Sequence, residues 1–418
     1  MAESSGPVST SRERPAAVVV PLWRNKNFQL LWSGTAFTLF ANEMGVVAFP
    51  LVILGLTDSP ALAGLYGAVQ LAASVLVGIP AGAWVDRHDR RRLLLCAEAL
   101  KATVLLLVAA ALLTGRAQVW MLLAGAAVMG AAAPFAGASR MLMVRKAVPP
   151  QQLTSALTQD EVRGNTVSLA GPSVAGYTYG FGAGVPIVVA GALSGLALLL
   201  ASLVDRSLGR IDPGAPRDAA GPAAGLRILW GNPVLRLGTV FAAASNLAIA
   251  PLILIVVFIL QQQDAPPLVI GATSAGLAVG GLLGTLLVKP MQRIFRPGVL
   301  LLVVGTFTTI LIAALSVVRG PWVMAVVLAL IGVGGPTVRI LVDILIFRQV
   351  SDEQRGRTVT AFMTVLGTGS ALGVLVSGLL LELAPWVAVG GLAALLLVAM
   401  FVGYASPAIR RADWPEEV

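Results

Sequence analysis

The chain has 418 residues, of which 57% are hydrophobic and only 12% charged. A soluble domain usually carries about 25% charged residues, so a soluble globular protein is excluded and the expected class is an all-α polytopic membrane protein. The excess of 29 Lys and Arg over 20 Asp and Glu then points to basic loops on one side of a membrane, with no nucleic-acid partner, and the lone Cys96 excludes an intramolecular disulfide.

Residues 1–27 form a polar tail containing Arg12, Arg14, Arg24 and Lys26. No short apolar core with a small-residue cleavage site precedes the first long apolar run, so the first helix is expected to be the insertion signal. Apolar runs of about 20 residues, enough to span ~30 Å of hydrocarbon, lie near 28–56, 60–85, 93–114, 119–144, 155–180, 184–204, 233–261, 267–289, 298–318, 322–347, 357–384 and 386–405. These twelve predicted helices divide the chain into a six-helix half (28–204), a linker (205–232), a second six-helix half (233–405) and a tail (406–418). The linker is rich in Pro, Gly, Ala and Arg, the composition of a tether rather than a folded domain.

Every Lys and Arg except five lies on or beside the same alternate loops and tails. The exceptions are Lys101, Arg140 and Arg339 within helices, and Arg116 and Arg319 in the opposite loops. The positive-inside bias makes the basic side cytoplasmic and, with an even helix count, puts both termini there. The opposite loops are short, with Asp58, Asp264 and Glu382 among their few charges. Use of 25 Arg against 4 Lys, with abundant Ala, Gly and Val, suits a bacterial inner-membrane protein.

Between the second and third runs, residues 82–94 (GAWVDRHDRRRLL) hold seven ionisable side chains. A charge at the bilayer centre costs at least ~2.5 kcal/mol, so this stretch must be a water-exposed turn. Comparison at a fixed offset of 202 residues pairs Gly82 with Gly284, Arg87 with Lys289, Gly130 with Gly332, Pro134 with Pro336, Gly171 with Gly373 and Gly176 with Gly378. The set holds register through four helices, the pattern of parallel repeats related by an axis along the membrane normal.

The segment Gly82-Ala-Trp-Val-Asp86-Arg87-His88-Asp89-Arg90-Arg91-Arg92 resembles the loop signature between helices 2 and 3 of the major facilitator superfamily, with Asp89 where that pattern usually has glycine. The resemblance implies two six-helix bundles that rock about a midplane site. It also implies that Gly82, Asp86, Arg87, Arg90 and Arg91 act as a conformational latch between the halves when the carrier faces outward. Gly171-Pro172-Ser-Val-Ala175-Gly176 is similar to the Gly-Pro motif of antiporter members; the competing reading is plain helix packing by small residues. The arginine found early in helix 4 of many drug–proton antiporters is missing from 120–130. The start of the chain, Pro21-Leu-Trp-Arg-Asn-Lys-Asn-Phe-Gln-Leu-Leu-Trp32, and the stretch from Pro134-Phe to Val148-Pro149-Pro150 resemble the siderophore-exporter and macrolide-efflux branch.

Ionisable residues within the membrane are functional candidates, because they are costly to bury. Glu43 lies 15 residues after Phe28, roughly 22 Å along the first helix at ~1.5 Å per residue, and so at mid-bilayer. With Asn42 beside it and Phe40 at helical spacing as candidates for a cavity lining, it could face a central cavity and bind a proton or a cationic substrate. It is the first candidate for proton coupling; the competing reading is a carboxylate tied up by a neighbouring helix. Arg339 and Asp343, four apart on one helix face, form the second, against the reading of a static pair. Glu98, Lys101 and Arg140 are expected to snorkel to the interface, and Asp160, Glu161 and Arg163 to join the loop network. His88 is expected to be solvated. Neutral candidates for a cavity lining are Gln70, Ser245, Asn246, Thr273 and Ser274.

No nucleotide-binding Gly-Lys-Ser/Thr loop is present, and a single His and a single Cys exclude the usual zinc constellations. The expected protein is therefore no enzyme and has no metal site and no cofactor. It is a secondary transporter in the lipid bilayer, functional as a monomer, that exports a small-molecule substrate in exchange for protons. Uptake or facilitated movement of a metabolite or lysolipid by the same fold, or a non-transporting sensor, are the competing readings.

Overall fold

The computed structural model describes residues 21–210 and 223–405; the tails and part of the expected linker lie outside the described residues. Helices make up the described chain and no strand occurs in it. The first half holds α1 (Lys26–Thr57), α2 (Pro60–Val85), α3 (Arg90–Leu113), α4 (Val119–Ala147), α5 (Leu153–Tyr179) and α6 (Val185–Ser202). Each start has a local cause. Asn25 accepts from the Phe28 amide at 3.1 Å to cap α1, Ser59 caps α2 just before Pro60, and Asp89 accepts from the Arg92 amide at 3.0 Å to cap α3. Asp89 sits at φ −56°, so the family's glycine is not required there.

The second half repeats the plan with interruptions. Its first span is α8 (Pro233–Ile249) plus α9 (Leu252–Gln262), and its second is α10 (Pro267–Ser274) plus α11 (Gly276–Ile294). Then follow α12 (Pro297–Ala314), α13 (Pro321–Gln349), α14 (Asp352–Leu381) and α15 (Pro385–Ala405). Ten of the twelve spans are long and apolar enough to cross a membrane outright; α12 is shorter, and α5 carries Asp160, Glu161 and Arg163. Pro251 has no N–H, so the carbonyl of Leu247 has no partner one turn on, and the span breaks there. That carbonyl lies against Gly373 of α14, where a methyl group would come within 2.0 Å of it.

One expectation changes. The segment between the halves contains the short helix α7 (Ala223–Gly231), whose Leu229 is fully buried with Leu235, Val350 and Phe362. Gly225 lies so close to α14 that a methyl group would meet the Arg357 carbonyl at 2.3 Å. Residues 223–231 therefore belong to the second half and are not tether.

The apolar cores show how the halves meet. One cluster joins residues 41–54 of α1, Ala175 of α5 and 252–260 of α9 with Val374 and Leu381 of α14, so it crosses from half to half. It lies at the end of the molecule bearing the short loops (58–59, 114–118, 263–266 and 382–384). At the opposite, basic end the core splits: Leu22, Phe28, Leu94 and Met143 form one cluster within the first half, and Leu229, Leu235 and Phe362 another within the second. The halves are thus fused at the short-loop end.

Candidate functional site

The fused end is built twice from the same parts. Asp58 and Asp264 both take a left-handed conformation (φ 54°) that turns the chain, and each turn leads to a helix with proline in its first turn, Pro60 or Pro267. One turn into each helix stands a glycine. On one side Gly176 of α5 meets α10, where an added methyl would lie 2.2 Å from the Pro267 carbonyl; Gly271 answers at 2.3 Å from the Pro172 carbonyl. On the other side Gly378 of α14 meets α2, with 2.8 Å to the Pro60 carbonyl and to the Gly64 Cα. Pro172 and Gly176 therefore act as an interface between the halves, where only glycine lets the backbones approach.

Gly171, one turn earlier on α5, serves another contact, since a methyl there would stand 2.5 Å from the Glu43 Cβ. This close approach of α1 and α5 brings Ser168 Oγ within 2.8 Å of Glu43 Oε1, to which it donates. Glu43 is half-buried and its neighbour Asn42 is exposed, while Phe40 packs against the shared core. A carboxylate in this position, satisfied by one hydroxyl, can take up and release a proton or face a cation. In the second half, Ser245 and Asn246 line a cavity of about 420 Å³ with Phe241, Thr308, Phe362 and Ser370. Asn246 Nδ2 donates to the Ala242 carbonyl at 3.1 Å, and its Oδ1 accepts from Ser370 at 3.4 Å. No described residue lining this cavity is charged.

Other expected lining residues are occupied elsewhere. Ser274 donates to the Ile270 carbonyl at 2.9 Å and Thr273 to the Pro321 carbonyl at 3.4 Å, so both serve helix backbones. Gln70 is half-buried on α2, and its main-chain carbonyl faces Gly130, where a methyl would approach to 2.1 Å. The side chains of Arg339 and Asp343 lie outside the described residues, although α13 runs through both positions.

The structure also forms a site that the sequence reading missed. Glu98 is wholly buried and Lys101 is 5% exposed, so they do not snorkel as expected. Arg140 Nη2 donates to Glu98 Oε1 at 2.7 Å, and Thr38 Oγ1 lies 3.1 Å from Glu98 Oε2. Helical spacing explains the arrangement: Glu98 and Lys101, three residues apart, face inward between α1 and α4. Nearby, Arg163 donates to Asp160 at 2.8 Å and to the Trp32 carbonyl at 3.2 Å, and sits over the Trp32 ring at 5.8 Å. Arg163 thus ties α5 to α1 rather than joining a loop network.

At the basic end, Asp86 and Arg87 are exposed, and nothing lies within 4 Å of a methyl added at Gly82. Arg91 is used inside the first half. Its Nε donates to the Val204 carbonyl at 2.9 Å and its guanidinium also reaches the Ser202 carbonyl, closing the end of α6. Arg90 is half-buried, and His88 stacks on Trp84 with ring centroids 5.0 Å apart.

Comparison with known proteins agrees with this architecture. The family model of the Major Facilitator Superfamily matches residues 31–338 and again 241–416. No curated protein matches the sequence. Among solved structures, a bacterial homologue of the human lysosomal transporter Spinster is similar at a TM-score of 0.74 and 16% identity, over 94% of this chain and 99% of that one. The nucleoside transporter NupG follows at 0.73 and 15%, over 93% and 99%, and a bacterial homologue of the iron transporter ferroportin at 0.70 and 17%, over 94% and 100%. The chain belongs to the Major Facilitator Superfamily and is a multi-pass membrane transporter of small molecules, not an enzyme.

Proposed function

We propose that this transporter exports a small organic molecule from a bacterial cytoplasm in exchange for protons, with the basic end and both termini cytoplasmic and the inner membrane as its seat. On that orientation the structure is the inward-facing state, because the fused end is the short-loop, outer end. The latch of Gly82, Asp86, Arg87, Arg90 and Arg91 would then engage only when the carrier turns outward. The observation that carries the reading is Glu43, a half-buried carboxylate midway along α1 whose hydrogen bond comes from Ser168 on α5. Glu43 binds the proton, and Asp343 with Arg339 is the second candidate pair. The uncharged cavity around Asn246 suits a neutral or amphipathic cargo with a hydrogen-bonding head. Resemblance of the first spans to siderophore and macrolide exporters supports export. The test is Glu43→Gln in proteoliposomes, with an imposed pH gradient and a panel of neutral and cationic dyes. Loss of gradient-driven movement, with exchange down a dye gradient retained, is expected; coupling equal to the parent would remove Glu43 from the mechanism.

A further inference from the structure

Two glycine-lined helix crossings flank the core that fuses the short-loop end, and they differ in one respect. At α2 the Ser59 hydroxyl lies 2.5 Å from Glu382 Oε1, and the Ala61 amide donates to the same oxygen at 3.1 Å. Glu382 closes the end of α14, so its carboxylate crosses from the second half to the amino terminus of a helix in the first, where unpaired N–H groups and the helix dipole favour an anion. At the twin contact the position 202 residues before Glu382 is Gly180. Pro266, which precedes α10, offers neither a hydroxyl nor an N–H. Among the described residues, that side closes on the glycine approach and apolar packing of Ala175 and Ile270, with no side-chain hydrogen bond from one half to the other.

From this asymmetry we infer that Glu382 is a gating residue: it holds the short-loop end shut from one side through Ser59 and the Ala61 amide, and must let go before that end opens. The bond is exposed to water, so it can break and re-form in each cycle. Its loss should raise the ratio of molecules open at this end to molecules closed by about tenfold, the worth of one charge-assisted hydrogen bond. The inference rests on the two-ended motion of the proposed function, but not on Glu43 or on the direction of transport.

The test uses the full chain in lipid nanodiscs with Cys96→Ala. Spin labels at Arg116→Cys and Arg319→Cys report the short-loop end, and labels at Gln151→Cys and Ser351→Cys report the basic end; all four positions are exposed. Glu382→Ala should lengthen the first distance and shorten the second. Ser59→Ala should move both in the same sense but less, because the Ala61 amide remains. Glu382→Gln, which keeps an acceptor oxygen but loses the charge, should fall between the parent and Glu382→Ala, and Ser59→Ala added to Glu382→Ala should open the end no further. Unchanged distances in Glu382→Ala would overturn the inference. So would opening of the short-loop end without closure of the basic end, because that is fraying of α2 rather than gating. Should Glu382→Ala fail to fold, Ser59→Ala decides by the same two distances.

Discussion

The two halves share a plan but bury different chemistry. In the first, Glu98, Lys101 and Arg163 are buried beside the half-buried Arg140 and Glu43. In the second, the buried polar side chains among the described residues are all hydroxyls, from Thr239 to Ser377. The offset of 202 makes the contrast specific: Glu98, Lys101, Arg140 and Arg163 correspond in sequence to Leu300, Val303, Val342 and Val365. The aliphatic set shows that the fold does not need the ions. A buried ion pair is seldom retained for stability, since apolar residues of similar volume serve as well or better. The first half therefore keeps its charges for a purpose that the second half does not share.

This contrast can be broken experimentally. The largest effect is expected from Glu98→Ala, which strands Arg140 and Lys101 without their carboxylate and should cost about 3–5 kcal/mol in thermal unfolding of the detergent-solubilised protein. Copying the second half by Glu98→Leu, Lys101→Val and Arg140→Val together should restore stability to within about 1 kcal/mol of the parent. Proteoliposome transport by that triple variant should nevertheless fall to background; normal transport would reduce the cluster to scaffolding. Next, Gly176→Ala and Gly378→Ala should each weaken closure of the short-loop end by about 1–3 kcal/mol. Gly176 should be worse, given its closer carbonyl, and cysteine accessibility at that end is the measurement. A smaller loss, about 1 kcal/mol in transport rate, should follow Ser168→Ala, which removes the hydroxyl from Glu43. The least is expected from Ser370→Ala, whose 3.4 Å contact with Asn246 in the cavity lining is long; a loss below about 0.5 kcal/mol in transport is expected, the low end for a single hydrogen bond.

Much of the fold was legible because it is written locally. Spans are runs of apolar residues, and the caps Asn25, Ser59 and Asp89 stand next to the helices they start. The duplication was legible through glycines and prolines, and for one pair the structure gives equivalent contacts: Gly176 and Gly378 both face the start of a proline-led helix from the other half, whereas Gly284 packs on the Val333 carbonyl and Gly82 on nothing within 4 Å. Helix α7 was hidden by its composition, since nine residues between Pro, Gly and Ala read as tether until Leu229 finds α14. The Glu98 cluster was hidden differently. A charge two to three turns into a helix reads as one that can reach water, and only the packing of α1 and α4 around it denies that route. Glu382 read as an ordinary loop charge, because its partners lie 323 and 321 residues away.

The proline break in the second half has a mechanical meaning. A continuous helix resists bending because each degree of bend strains its ladder of amide–carbonyl bonds, but at Pro251 that rung is already missing. The Leu247 carbonyl it would have used rests on Gly373 instead. Pro50 likewise leaves the Val46 carbonyl without its amide, yet α1 runs on through it; only at Pro251 does the span separate into two helices, α8 and α9. The molecule is a stiff lever joined to an elbowed one, and the elbow sits beside the cavity that the second half contributes.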